Sequence, residues 1–138
     1  MDRPPKHNIK RKALVLGTGG HSRVVLSLLF SQKNHEILNL FELGEFRKCE
    51  TIMGINVLPF PASLNDLKKY KYLDIFLAIG CNEKRKHFWE IISAEGFNTP
   101  NLISSTAIID HSVKLGKANV ICSNAFLGPC AQLGNNNL

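Results

Sequence analysis

Hydrophobic and polar residues follow two different patterns along this chain. Up to about residue 101, short apolar runs alternate with longer stretches in which apolar residues recur every three or four positions. The runs are typical of buried strands, and the spaced stretches are typical of helices with one packed face. Strands that alternate with helices predict a parallel sheet with helices on its faces. In chain order the pattern predicts strand 12–16, helix 22–33, strand 36–41, edge strand 55–60, helix 63–70, strand 73–79 and helix 82–95.

Three residues mark where the predicted helices begin and end. Ser63 and Asn82 are each suited to cap a helix N-terminus, because their side-chain oxygens accept hydrogen bonds from free backbone N–H groups. Gly96 follows the last predicted helix and suits the left-handed position just beyond a helix end. These signals support the boundaries that the apolar spacing predicts.

The last 36 residues repeat with a period of six. Each block begins with Ile or Leu, starting at Ile103. The fifth position is small or β-branched except at Asn119 and Asn137, which lie eighteen residues apart. The repeat predicts a β-helix in which three blocks make one triangular coil, the first and fifth residues point inward and the two asparagines stack. A sandwich of short strands is the alternative, but six in-frame blocks without a gap favour the β-helix.

Charge and cysteine content exclude several classes of protein. The formal net charge is +6, and the first twelve residues contribute +4 of it, so the body is nearly neutral and gives no support to a nucleic-acid-binding domain. No apolar run is long enough to cross a membrane, and the basic leader, residues 1–11, which we expect to be disordered, lacks the apolar core of a secretory signal. The four cysteines show no CxxC spacing, which predicts reduced thiols in a cytoplasmic protein and no metal site.

A glycine-rich segment at residues 17–21, Gly-Thr-Gly-Gly-His, joins the first predicted strand to the first predicted helix. Glycines allow a ligand to approach the backbone, and the free N–H groups at a helix start attract a phosphate. The dinucleotide-binding fingerprint requires a third glycine where this chain has Ser22, so that fingerprint is incomplete. A tight turn without a ligand is the alternative.

Two further segments are predicted to lie at the same edge of the sheet. Glu42 follows the second strand at about the spacing of an acid that holds a ribose, and residues 80–85 follow strand 73–79. Ligands of open α/β sheets bind outside the carboxyl ends of the strands, so we expect these segments near the glycines. An exposed loop acid is the alternative for Glu42, and a solvated helix residue is the alternative for Arg85. The histidines His7, His35 and His87 are interpreted as surface or packing residues, and no spacing indicates a catalytic triad.

The order of these segments resembles a known family. A GxGGH turn, an AIGxNxxR turn, a helix that ends in Glu-Gly-Phe at residues 95–97 and hexapeptides introduced by Asn-Leu-Ile at residues 101–103 are similar to the sialic acid O-acetyltransferase and UDP-amino-sugar N-acetyltransferase family (NeuD/PglD type). The resemblance extends over residues 12–138. It implies an α/β fold with a Rossmann-like nucleotide-sugar-binding domain at residues 12–101, followed by the first two coils of a left-handed β-helix at residues 102–138.

The resemblance also implies a function. Family members transfer an acetyl group from acetyl-CoA to an amine or hydroxyl of a nucleotide-linked or sialic-acid-type sugar in surface-glycan biosynthesis, and they do so as trimers. The residues implied to bind the nucleotide sugar are Gly17, Thr18, Gly19, Gly20, His21, Glu42, Gly80, Cys81, Asn82 and Arg85.

No residue of this chain is expected to be the catalytic base. The family's catalytic histidine and its acetyl-CoA groove are expected beyond Leu138, so this portion is expected to bind the nucleotide sugar without catalysing the transfer. His111 imitates the catalytic motif and is interpreted as a corner residue of the first coil. Two alternatives stay open: a non-catalytic nucleotide-sugar-binding or oligomerisation module, and an NAD-binding Rossmann module.

Overall fold

The computed structural model describes residues 10–48 and 50–138, except for the side chain of Leu64. The predicted leader up to residue 9 lies outside the described residues, as does Cys49. The elements of the α/β part are β1 (Arg11–Leu16), α1 (Gly20–Gln32), β2 (His35–Glu42), β3 (Thr51–Ile52), β4 (Ile55–Pro59), α2 (Leu64–Leu67), a 3₁₀ turn (Lys68–Tyr70), β5 (Asp74–Leu77) and α3 (Asn82–Ala94). None of the helices in the described ranges is long and apolar enough to span a bilayer.

The strands of the α/β part form one sheet in the order β3-β4-β2-β1-β5. As predicted, β1, β2, β4 and β5 are parallel, whereas β3 runs antiparallel to β4. The strand predicted at residues 55–60 is present as β4, but its predicted place at the edge of the sheet is wrong, because β3 pairs with the first two residues of β4. A strand as short as β3 has too few residues to show an alternating pattern in the sequence.

Two of the predicted helices differ from those in the structure. Ser63 caps α2 as predicted, since its Oγ accepts a hydrogen bond from the backbone N–H of Asn65 at 3.2 Å. The predicted helix 63–70 is divided, however, into the single turn of α2 and the 3₁₀ turn. Asn82 is the first residue of α3 and not its cap; Cys81 occupies the cap position. The reason is that the Asn82 Oδ1 accepts a hydrogen bond from Arg85 Nη2 at 2.8 Å and does not cap the backbone.

The end of α3 confirms the prediction for Gly96. Its φ is 75°, its N–H donates to the carbonyl oxygen of Ser93 at 3.0 Å, and the N–H of Phe97 donates to that of Ile92 at 3.2 Å. This pair of hydrogen bonds satisfies the last carbonyl groups of the helix and turns the chain back towards the sheet. The next residue, Asn98, forms a parallel bridge with Asp74 at the free side of β5.

The core consists of one apolar cluster on each face of the sheet. In β1 the side chains alternate, so that Ala13 and Val15 face the cluster formed with α1, and Leu14 and Leu16 face the cluster on the other side. The α1 cluster also contains Leu102 and Val120 from the region after residue 101. The α/β part and the repeat region therefore share one apolar core.

The repeat region forms the predicted coils. Its strands are β6 (Leu102–Ile103), β7 (Ile108–Ile109), β8 (Lys114–Leu115), β9 (Val120–Ile121), β10 (Phe126–Leu127) and β11 (Gln132–Leu133). Each strand of the first coil pairs in parallel with the strand eighteen residues later: β6 with β9, β7 with β10 and β8 with β11. This register is that of a β-helix with three strands per coil.

The predicted asparagine stack is present and is longer than predicted. The Oδ1 of Asn119 accepts hydrogen bonds from the backbone N–H of Asn137 at 2.9 Å and from its Nδ2 at 2.8 Å. One step earlier, the backbone N–H of Asn119 donates to the Oδ1 of Asn101 at 2.9 Å. Asn119 is fully buried, and its hydrogen bonds compensate for the loss of contact with water.

Candidate functional site

An open cavity of about 450 Å³ lies at the carboxyl ends of β1, β2 and β5. This is the edge of a parallel sheet at which ligands of α/β proteins bind. The cavity is lined by Gly17, Thr18, Gly19, Glu42, Leu43, Gly44, Ala78, Ile79, Gly80, Lys84, His87 and Phe88. It therefore joins the turn after β1, the loop after β2, the segment after β5 and one face of α3.

Gly17 allows the first turn to lie against the end of β5. Its φ is +108°, and a Cβ at this position would lie 2.6 Å from the carbonyl oxygen of Ala78. The backbone N–H of Ala78 in turn donates to the carbonyl oxygen of Leu16 at 2.7 Å. Only glycine fits this position without strain, so Gly17 shapes the cavity through the backbone.

Gly19 and Gly20 leave the N-terminus of α1 open. Gly19 is the cap residue and Gly20 the first helical residue, and a Cβ at either would have no protein atom within 4 Å. The first N–H groups of a helix have no partner within the helix, and they carry the positive end of its dipole. The start of α1 is thus accessible and suited to an anion.

Glu42 connects two walls of the cavity. One carboxylate oxygen accepts a hydrogen bond from the hydroxyl of Thr18, and the other accepts one from the backbone N–H of Gly44 at 2.7 Å. An ionised carboxylate has about four acceptor positions, so Glu42 retains capacity for a ligand hydroxyl. The loop after β2 and the turn after β1 are held in register by this residue.

His21 is half-buried next to the cavity. Its Nε2 atom is buried and has no hydrogen-bond partner among the described residues. Burial, together with the positive charge of Arg85, lowers the pKa of the His21 imidazole below its ordinary value. The imidazole of His21 is therefore a weaker base than a free histidine side chain.

The predicted residues after β5 separate into two groups. Gly80 lines the cavity, whereas Asn82 and Arg85 line a second cavity of about 480 Å³ between α3 and residues 135–138. Cys81 is exposed, and its Sγ lies 3.5 Å from a carboxylate oxygen of Glu83. Arg85 is buried, so the alternative of a solvated helix residue is excluded, and its predicted role in ligand binding stays a prediction.

Comparison with known proteins identifies the α/β part. Residues 12–92 match the family model described as the PglD N-terminal domain. The chain belongs to this family. Its cavity is thus a feature of a PglD N-terminal domain, and the expected NeuD/PglD type is confirmed.

Solved structures share the fold of both parts. The acetyltransferase domain of PglB from Neisseria gonorrhoeae, in complex with acetyl coenzyme A, is 29% identical with a TM-score of 0.80, over 92% of this chain and 60% of that one. The H141N mutant of perosamine N-acetyltransferase from Caulobacter crescentus, in complex with CoA and GDP-perosamine, is 22% identical with a TM-score of 0.79, over 91% of this chain and 58% of that one. The chain thus spans about three fifths of each solved chain.

A viral protein is also similar to this PglD-type chain. The uncharacterized protein L142 of Acanthamoeba polyphaga mimivirus is 27% identical over 123 residues, which are 87% of this chain and 23% of the viral protein. The similarity extends beyond residues 12–92 and therefore includes part of the coils.

Seven of the twelve residues that line the cavity of the PglD N-terminal domain were not predicted as site residues, and three of these seven lie on α3. Lys84, His87 and Phe88 project from α3 into the cavity. His87 was interpreted as a surface or packing residue, and its ring does pack edge-on against Phe88, with ring centroids 5.6 Å apart. The three positions are spaced i, i+3 and i+4, which places them on one helix face once α3 is known to start at residue 82.

Proposed function

We propose that the cavity binds the nucleoside diphosphate portion of a nucleotide-linked sugar. This sugar would be the substrate of an acetyl-CoA-dependent N- or O-acetyltransferase. The observation that carries the proposal is the meeting of the open N-terminus of α1 with Lys84 in one cavity at the carboxyl edge of the sheet. Membership of the PglD N-terminal domain family supports it. The perosamine N-acetyltransferase, of similar fold, was crystallised with GDP-perosamine.

The diphosphate is assigned to the start of α1. The backbone N–H groups of Gly20 and His21 lack partners within the helix, and a Cβ added at Gly19 or Gly20 would meet no neighbouring group within 4 Å. The side chains of Ser22 and Arg23 donate to the carbonyl oxygen of Gly19 and leave these N–H groups free. Lys84 is the one cation among the residues lining the cavity and adds a flexible positive charge. The positive end of the α1 dipole and the charge of Lys84 together favour the binding of a diphosphate at the start of α1.

The nucleoside is assigned to the opposite wall of the cavity. Glu42 accepts hydrogen bonds from a ribose hydroxyl through its remaining acceptor positions. The ring of Phe88 is fixed by edge-on contact with Phe60, with ring centroids 5.4 Å apart, and His87 lies beside it. These rings provide a face on which a nucleobase stacks without strong selection among bases.

The proposal assigns no part of the acetyl transfer to the described residues. In such a transfer a general base removes a proton from the acceptor amine or hydroxyl as it attacks the thioester of acetyl-CoA. His111 is fully exposed on the first coil, 3.4 Å from the carboxylate of Asp110, and lies in none of the cavities described above. We therefore keep the interpretation of His111 as a corner residue.

Calorimetric titration with UDP-, GDP- and CMP-sugars and with NAD tests the proposal. We expect saturable binding of at least one nucleotide sugar and loss of this binding in Gly19→Ala, because Gly19 lines the cavity and a methyl group there fits the protein but occupies the space assigned to the phosphate. Unchanged circular dichroism of Gly19→Ala is the control. Binding of NAD alone would contradict the proposal.

A binding module without catalysis is the second candidate function. It is favoured by one observation: the cavity suited to the nucleotide is lined by the α/β part, and His111, the histidine that imitates the catalytic motif, lies outside it. Incubation of this chain with acetyl-CoA and the bound nucleotide sugar, followed by mass spectrometry, tests for catalysis. A mass increase of one acetyl group rules out the module, whereas binding without acetylation is expected of both candidates; the same assay on the protein encoded by the full open reading frame separates them. Light scattering on the same sample tests whether the chain forms the trimer that the family resemblance implies.

A further inference from the structure

Arg85 has an unusual environment for a charged residue near the start of a helix. It is 7% exposed, whereas its neighbours Lys84 and Lys86 are exposed. A guanidinium group that is removed from water requires hydrogen-bond acceptors. No described carboxylate forms an ion pair with it, so its acceptors are neutral groups of the protein.

These acceptors belong to the cavity wall and to the second coil. Nη1 donates to the carbonyl oxygens of Ile79 at 3.0 Å and Gly80 at 3.4 Å. Nε donates to the carbonyl oxygen of Asn136 at 3.4 Å, 51 residues further along the chain. One side chain therefore joins the segment after β5 to the end of the described coils.

The orientation of these carbonyl groups matters for an anionic ligand. Ile79 and Gly80 line the cavity, but Arg85 does not, so carbonyl oxygens bound to its guanidinium are directed away from the ligand space. A carbonyl oxygen facing a diphosphate would repel it. The same segment begins with Ala78, against which Gly17 packs, so its position also determines that of the turn after β1.

We propose that Arg85 is a positioning residue that holds the backbone of Ile79 and Gly80 in the conformation required by the nucleoside diphosphate. Through its hydrogen bond to Asn136, it also makes the conformation of the cavity depend on how the second coil is packed. The proposal rests on the proposed function for the identity of the ligand. The family resemblance implies that Arg85 contacts the ligand, but in this proposal Arg85 does not contact it and acts on it through Ile79 and Gly80.

Two substitutions separate the indirect role from a direct one. Arg85→Lys keeps the charge but loses the planar fork that binds several carbonyl groups, and Arg85→Gln loses both. A positioning role predicts that the Kd of the nucleotide sugar rises about tenfold or more in both variants, as found for residues that orient the ligands of metal sites. A direct ionic contact predicts near-normal affinity in Arg85→Lys, and that result would overturn the proposal.

Lys86→Gln is the matched control. Lys86 is adjacent on α3 and lines the same second cavity, but its amine pairs only with Glu90, at 3.9 Å, among the described residues. We expect the Kd of this variant to stay within about twofold of wild type, as for most exposed substitutions. Variants are compared only where circular dichroism and cooperative thermal unfolding match those of wild type.

A double-mutant cycle tests the transmission from the coil. Asn119→Ala removes the hydrogen bonds to Asn137 without touching Arg85 or the cavity lining. We expect it to raise the Kd about threefold in the wild-type background and to have no further effect in Arg85→Gln, because coupled residues are non-additive. Additive effects, or no effect of Asn119→Ala, would refute the transmission.

Amide hydrogen exchange keeps the proposal testable without a ligand. The backbone N–H of Val120 donates to the carbonyl oxygen of Asn137 at 2.9 Å, next to the residue that Arg85 holds. Exchange at Val120 should be several-fold faster in Arg85→Gln than in wild type and Lys86→Gln. If wild type binds no nucleotide sugar, the proposed function fails while this exchange difference remains; equal exchange in all three proteins overturns the role of Arg85.

Discussion

The α/β part and the coils are stabilised in different ways. Most buried apolar side chains belong to the α/β part, and the coils contribute only Leu102, Val120 and Ile121 to the buried apolar residues described. The coils are connected instead by backbone hydrogen bonds from the first coil to the second, such as those from the N–H of Leu102 to the carbonyl oxygen of Asn119 and from the N–H of Ile108 to that of Ala125. A substitution should therefore destabilise the whole α/β part cooperatively, but in the coils it should act mainly on the adjacent turn.

Gly17→Ala should produce the largest effect and should test the cooperative side of this comparison. The added methyl would overlap the carbonyl oxygen of Ala78, and the residue would keep a φ of +108°. We expect the free energy of unfolding to fall by about 3 kcal/mol, the level of severe backbone strain combined with overpacking. Urea denaturation measures this. Gly20→Ala, which has open space around it, should be neutral, and equal loss in both variants would contradict the packing argument.

Gly116→Ala tests the local side of the comparison. A Cβ on Gly116 would lie 2.5 Å from the carbonyl oxygen of Gly134, so the second coil must move away from the first. We expect a cost of about 2 kcal/mol that is confined to the coils. Hydrogen exchange at the amide of Asn136, which donates to the carbonyl oxygen of Lys117 at 2.8 Å, reports it.

Gly134→Ala is the control for this position. No protein atom lies within 4 Å of a Cβ placed there, so exchange at Asn136 should match wild type. If Gly116→Ala accelerates exchange equally in the coils and in β1, the two regions unfold as one unit and the proposed difference between them is wrong.

The difference between the α/β part and the coils also explains which features could be predicted from the sequence. In the coils each position has a partner eighteen residues away, so a repeat of six residues is sufficient to predict the pairing of all six strands and the stacking of Asn119 on Asn137. The strand and helix order of the α/β part is also visible in local apolar spacing. Asn101 was missed as a member of the stack because it precedes the first hexapeptide.

The site was less predictable because its contacts connect distant segments. Five of the ten predicted binding residues line the cavity, namely Gly17, Thr18, Gly19, Glu42 and Gly80. The surroundings of Arg85 depend on Asn136, and nothing in the local sequence around residue 85 indicates that contact. Once the start of α3 is known, helical spacing shows that Lys84 and His87 lie on the same face of the helix. Whether that face is turned towards the carboxyl edge of the sheet depends on the packing of the whole domain.

Ala118→Gly should have a smaller effect, of opposite sign. Ala118 adopts a φ of 58° at a corner of the coils, a conformation that is strained for a residue with a Cβ. We expect a gain of roughly 0.5–1 kcal/mol in the stability of the coils, measured by exchange at Val120, because glycine relieves the strain. Ala125→Gly, a change at a position without a positive φ, should reduce stability, and stabilisation by both would show that corner strain is not the cause.

His21 provides the smallest effect, a pH dependence that belongs to the α/β part alone. Burial first, and the charge of Arg85 second, lower the pKa of His21 in the folded protein, whereas in the unfolded chain the pKa is near 6.5. The unfolded chain therefore binds the proton more tightly, and the free energy of unfolding decreases as the pH falls from about 7 through 6.5. His21→Asn should flatten this decrease in urea denaturation between pH 7.5 and 5.5, because it removes the titrating group.

Arg85→Gln should raise the pKa of His21 towards its ordinary value in an NMR titration, whereas Arg85→Lys should not. Exchange in the second coil should respond to Arg85→Gln but not to His21→Asn, since only Arg85 reaches Asn136.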